Sequence, residues 1–126
     1  MTTNAKAIKA TAAEQVVTKA VLRAAEQLCI PNGALAKILG VSEPTVSRMK
    51  NHAYQLSERG KEFELAILLI RLYRSLDTIV GGEADVASAW LRNFNTALDG
   101  KPLEQIQTII GLLNVIGYLD SRRAIV

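Results

Sequence analysis

Residues 35 to 49 run Leu35-Ala36-Lys37-Ile38-Leu39-Gly40-Val41-Ser42-Glu43-Pro44-Thr45-Val46-Ser47-Arg48-Met49, and each position in the run has a steric reason. Two helices that cross steeply need a small residue at closest approach, which Ala36 supplies. Four positions on, Gly40 supplies a turn residue able to take positive φ without a Cβ penalty. Ser42 can cap a second helix, with Pro44 harmless in its first turn. Val46 packs beneath the pair, and Leu35, Leu39, Val41, Val46 and Met49 form the inward set. Any helical hairpin can show Ala and Gly at such spacing, but here all the constrained positions agree. The run reads as a helix-turn-helix.

That pattern leaves Glu43, Pro44, Thr45, Ser47, Arg48 and Asn51 outward near the start of the second helix. These are the positions that reach base edges when such a helix lies in a major groove. Arg48 is the best single candidate for a base or phosphate contact, because its guanidinium can chelate guanine through two hydrogen bonds. Its bland alternative is a surface ion pair with Glu43 or Glu58. Lys37 and Lys50 are expected at phosphates, and Lys6 and Lys9, on a loose N-terminal arm, could do likewise.

Before this run, Thr11 and Glu14 have capping-box form, and Val17, Ala20, Val21, Ala24 and Leu28 recur at helical spacing. They predict a helix over residues 12 to 28, broken by Pro31, Asn32 and Gly33, with a short second helix over 34 to 39. After it, Phe63, Ile67, Ile70 and Tyr73 form one stripe of a long helix over 58 to 80. Leu65, Leu68, Leu69, Leu72 and Leu76 cover much of the rest. A helix apolar over more than one face exceeds what a single small core needs, which points to a homodimer with Leu68 and Leu69 as interface candidates.

Gly81 and Gly82 end that helix, residues 84 to 92 form an amphipathic helix carrying Trp90 and Leu91, and Asn95 through Gly100 read as a turn-rich connection. Pro102 then opens one last helix running to about residue 120. In it Leu103, Ile106, Ile110, Leu113 and Gly117 form one seam and Ile109, Leu112, Ile116 and Leu119 another. Both cannot easily face one small core, so either neighbours wrap this helix or it offers apolar surface to another chain.

The 126 residues, 49% of them hydrophobic with few aromatics, suit an all-α fold: a helix-turn-helix bundle over residues 1 to 56 and a helical module over 57 to 126. The net charge of +3 splits into +4 for residues 1 to 60 and −1 for the remainder, so a polyanion would meet the first half. The single cysteine, Cys29, follows an apolar stripe and is expected to be a buried small hydrophobe. No signal-peptide pattern opens the chain, and the longest apolar run, Leu65 to Ile70, is too short to span a bilayer; a soluble, cytoplasmic protein without membrane contact is the expectation. His52 is the only histidine, which leaves a metal site or a His-based triad almost nothing to build on. Asp77, Glu83 and Asp85 have no second convergent pair. No catalytic residue, metal or cofactor is expected.

Gly81-Gly82, Ala89-Trp90-Leu91, Asn95, Ala97-Leu98, Gly100, Pro102-Leu103, Thr108, Gly111, Val115 and Leu119 stand in an order and spacing that resembles the Xre-type antitoxins with the Xre/MbcA/ParS toxin-binding domain, partners of RES-domain toxins. The likeness extends from the helix-turn-helix to the C-terminus and departs at Phe94, where the family often has Pro. It implies a homodimer that binds its own operator DNA and neutralises a toxin consuming NAD. It also implies a C-terminal segment, Tyr118 through Val126, that reaches the toxin's cleft, with Tyr118, Ser121, Arg122, Arg123 and Val126 as contacts and the two arginines as anchors. Complementing the helix dipole is the plainer role for Arg122 and Arg123. The reading from another class is a stand-alone phage-like transcriptional regulator whose second half only dimerises.

Overall fold

The computed structural model describes residues 9 to 125, with side chains through Ala124. The expected arm carrying Lys6 lies outside the described residues, as does Val126. Among the described residues seven helices follow one another: α1 (Ala12–Gln27), α2 (Asn32–Leu39), α3 (Glu43–Lys50), α4 (Lys61–Ile79), α5 (Ala84–Arg92), α6 (Pro102–Gln105) and α7 (Ile109–Ile125). Among the described residues there is no named strand, only an isolated antiparallel bridge between Asn95 and Gly100. The all-α expectation holds.

α1 begins as its residues dictate. Thr11 and Glu14 close the capping box reciprocally, and Glu14 also accepts from the backbone N–H of Glu58 at 2.8 Å. The cap thus fastens the loop before α4 onto the start of α1. Further along, the Oγ1 of Thr18 donates to the Glu14 carbonyl and accepts from the buried Leu56 N–H at 2.9 Å, so that loop has no orphaned donor there.

α1, α2 and α3 end alike. A residue with positive φ, 55° at Cys29, 74° at Gly40 and 61° at His52, follows each helix, and the next N–H bonds back five residues: Ile30 to Ala25, Val41 to Ala36, and Ala53 to Arg48. The left-handed residues are Cys29, Gly40 and His52. This corrects the expectation for Cys29, which is exposed: the reversal after α1 turns its side chain out of the stripe that Leu28 ends. α2 starts two residues earlier than periodicity indicated, because Pro31, in extended conformation, serves as its N-cap.

α4 is apolar on several faces because it is central, with α1, α2, α5 and α7 packed around it. Ala66, Leu69, Leu72 and Leu76 are fully buried there, each leucine contributing roughly 1.5–3 kcal/mol of burial. Leu69 therefore cannot be a dimer contact, since it is filled in by this chain. One cluster of buried side chains runs from Val21 in α1 to Leu119 in α7.

The predicted last helix is two. The first turn from Pro102 stops at Gln105, and Thr108 opens α7 by accepting the Gly111 N–H at 3.0 Å. A Cβ on Gly111 would stand 1.8 Å from the Gln105 carbonyl oxygen, so this corner closes only around glycine. α7 then continues past residue 120, and residues 118 to 125 of the expected toxin-contacting segment lie within it.

Candidate nucleic-acid and partner interfaces

Ala36 is buried where α2 and α3 meet, Gly40 takes φ 74° between them, and Val46 and Met49 fill the space beneath. Ser42 caps α3 by accepting the Thr45 N–H at 3.2 Å. Glu43, Pro44, Ser47, Arg48, Lys50 and Asn51 are exposed along α3 and its C-cap, and Lys37 is exposed on α2. Thr45 is the exception to the outward set. It is 9% exposed, its hydroxyl shared with Ser42 Oγ at 2.9 Å and accepting from Arg48 Nη2 at 2.9 Å. Thr45 thus lies inward where the spacing predicts an outward position.

That hydrogen bond draws the Arg48 guanidinium back along α3 toward its N-terminal turn, where base-edge contacts arise in this motif. No ion pair among the described residues includes Arg48, so neither Glu43 nor Glu58 engages it. Glu43 leans instead over α2, its carboxylate lying where a Cβ on Gly33 would be. Lys50 donates to the Asn32 side chain, tying the end of α3 to the start of α2. Lys50 and Arg48 are thus each held by a hydrogen bond from within the motif.

At the other end of the chain, Arg122 and Arg123 diverge. Trp90 of α5 stacks on Tyr118 with ring centroids 6.3 Å apart, and Arg122 lies over the Tyr118 ring while donating to its hydroxyl at 3.0 Å. Arg123 points toward α4, and Asp120 of α7 accepts from Ser75 and Arg71 of α4 and lies 3.9 Å from Arg123. Burial pushes the Asp120 carboxyl up, but the hydrogen bonds from Ser75 and Arg71 and the two positive charges together hold it below the usual carboxylate range. Of the expected contacts, Ser121 is exposed and Tyr118 half-buried.

Sequence reasoning missed Arg92. From the end of α5 it donates to the carbonyls of Leu28, at 3.2 Å, and Cys29, satisfying the C-terminal end of α1. The loop that follows, with Phe94 exposed, closes through paired backbone bonds between Asn95 and Gly100 and a bond from the Leu98 N–H to the Asn95 side chain. Among the described residues no helix is long and apolar enough to cross a membrane.

Comparison with known families adds two matches. Residues 7–71, just over half of the chain, match the antitoxin Xre-like helix-turn-helix domain. Residues 75–124 match the antitoxin Xre/MbcA/ParS C-terminal toxin-binding domain. A search of curated proteins found no match. The first region contains the α2–α3 motif and its capping devices, and the second contains the α6–α7 corner, Trp90 and Tyr118. With both regions matched in order, this chain belongs to the Xre-like helix-turn-helix antitoxins of toxin–antitoxin systems.

Proposed function

We propose that this antitoxin neutralises a RES-type, NAD-degrading toxin by direct binding and, as a homodimer, represses its own operon through α3. What carries the reading is the disposition of the two matched regions. α3 packs on α2 and α1 and keeps its outer face free, while α7 packs on α4 and α6 and carries its terminal arginines outward. In this account Arg48, with Glu43, Pro44, Ser47 and Asn51, faces base edges, and Lys37 and Lys50 meet phosphates. Neutralisation engages the end of α7. Its cationic last turns, with Tyr118, Ser121 and the two arginines, fit a cleft shaped for an anionic dinucleotide, the guanidinium supplying paired donors to groups that otherwise bind phosphate.

The toxin-binding match over residues 75–124 favours this over a regulator whose second half only dimerises. The test is co-purification of the full chain with the tagged product of the adjacent reading frame, together with gel shifts on the upstream DNA. A complex that shifts that DNA at low salt, and less as salt rises, is the expected result. Absence of both the complex and the shift overturns the proposal.

A further inference from the structure

A groove of about 480 Å³ opens between α1 and the end of α3. Lys19 and Arg23, one turn apart on α1, line it from one side, with Gln15 a turn before them. His52 and Gln55, which follow α3, line it from the other, and the buried Met49 lies at its base. Lys19 and Arg23 are exposed, and no ion pair among the described residues includes either of them. In the other half of the chain, by contrast, Arg71 and Arg123 share Asp120, and Arg122 lies over the Tyr118 ring. Like charges four apart on a helix repel mildly, so the pair does nothing for α1 itself.

The groove begins where the outer face of α3 ends. Asn51 is the last outward residue of that face, and at the left-handed His52 that follows it, with φ 61°, the chain reaches the groove. Both α1 and α2 pack on α3, so the exposed face of α3 has two margins. On the α2 side stand Lys37 and Lys50, the latter bonded to Asn32. On the α1 side stand Lys19 and Arg23. A helix with its side chains is about 10–12 Å across and a major groove about 12 Å wide, so a helix seated there meets a phosphate strand on each side. Gln15, Gln55 and His52 add N–H donors of the kind that phosphate and sugar oxygens accept. One carboxylate also lines the groove: Glu26, three residues past Arg23 and likewise in no ion pair among the described residues.

We propose that this groove is a second phosphate-contact site, in which Lys19 and Arg23 hold the DNA backbone beside the bases that α3 reads. The proposal rests on the reading of α3 as the DNA-reading helix, and it deepens that reading by assigning the strand contacts on the α1 side. Charge complementarity and continuity with the outer face of α3 select a duplex as the occupant. Contacts to the backbone fix the protein's register without reading sequence. Lys19 and Arg23 therefore raise affinity for every duplex alike and steepen its dependence on salt, because each neutralised phosphate releases counterions. Glu26 opposes them, since it brings a negative charge to the same strand.

The experiment titrates the full chain onto labelled upstream DNA and onto a scrambled duplex of the same length, by fluorescence anisotropy, from about 50 to about 200 mM salt. It compares wild type, Lys19→Ala/Arg23→Ala, Glu26→Gln, and Arg74→Ala/Lys101→Ala, which removes the same charge from exposed positions outside the groove. All of these side chains are exposed and alanine suits a helix, and unchanged circular dichroism and melting temperature establish that each variant folds. The groove pair is expected to weaken binding to both duplexes by about tenfold and to make the salt slope shallower by about two, while the outside pair leaves the slope unchanged. Glu26→Gln is expected to tighten both duplexes by about twofold, a gain that no folding defect imitates. A wild-type slope in the folded groove variant overturns the site and leaves α3 as the reading helix. So does a loss confined to the upstream sequence, which marks base reading, or an equal loss in the outside pair, which marks net charge alone. No gain from Glu26→Gln removes the phosphate from the groove. Should wild type bind neither duplex, the reading of α3 falls and the groove with it.

Discussion

Arg92 at the end of α5 donates to the carbonyl oxygen of Leu28 at the end of α1, a bond of 3.2 Å between residues 64 apart in sequence. It joins the region that matches the toxin-binding domain to the region that matches the helix-turn-helix, and it does so at the negative end of a helix dipole. Arg92→Ala leaves the last carbonyls of α1 to water and should cost about 1 kcal/mol, the partial exposure of the guanidinium keeping the figure low. Urea denaturation of the two proteins measures it. Equal midpoints would show that the clamp is dispensable.

Two glycines of α7 should respond in opposite directions. At Gly111 an added Cβ meets the Gln105 carbonyl at 1.8 Å, and the corner must open, which should cost about 2 kcal/mol or more. At Gly117 an added Cβ has nothing within 4 Å, so Gly117→Ala should stabilise the helix by about 0.5–1 kcal/mol. Thermal melts of both variants beside wild type check the sign at each position. Destabilisation by Gly117→Ala would contradict the open environment described there.

Stability should fall in acid. Hydrogen bonds from the backbone N–H groups of Glu58 and Thr11 hold Glu14 below its ordinary 4.5, and Ser75 and Arg71 overcome burial to hold Asp120 below its ordinary 3.8. A carboxyl depressed on folding stabilises the fold above its unfolded-state value, and that contribution disappears as the pH drops through the folded one. Melting temperature should therefore decline beneath those ordinary values. Glu14→Gln and Asp120→Asn should each lower it at neutral pH and flatten the decline, which a melt series in acetate and phosphate buffers reads directly.

The helix-turn-helix was legible because its constraints are local. Ala36, Gly40, Ser42 and Val46 each answer a steric demand made within a few residues, and the structure meets those demands at the same positions. The corner before α7 was not legible. Leu103, Ile106, Ile110 and Leu113 keep helical spacing straight through it, and what breaks the helix is a contact between a carbonyl and a missing Cβ that periodicity does not register. Cys29 was misplaced for a related reason, since the left-handed reversal after α1 falls on a residue that is not glycine. Arg92 was missed because its partners are backbone atoms of another helix. Thr45 sits at an outward position by helical spacing, yet its bonds to Ser42 and Arg48 fold it inward.

Thr45 and Arg48 should accordingly fail differently on DNA. Arg48→Ala removes the proposed base contact and should cost on the order of 1–3 kcal/mol of specific binding. Thr45→Val keeps the guanidinium but frees its orientation, and should cost less while leaving the salt dependence unchanged, because no phosphate contact is lost. Gel shifts on the upstream DNA over a range of salt separate the two. An unaffected Arg48→Ala would remove Arg48 from the interface.

Neutralisation is the central claim, and cellular NAD measures it most directly. Inducing the product of the adjacent reading frame alone should arrest growth and deplete NAD, and co-inducing the full chain should restore both. Deleting residues 121 to 126 should leave NAD low while the truncated protein still shifts upstream DNA, since α3 and its caps are untouched. Persistent NAD loss in the presence of the intact, folded chain, or no NAD loss from the adjacent product at all, would contradict the account.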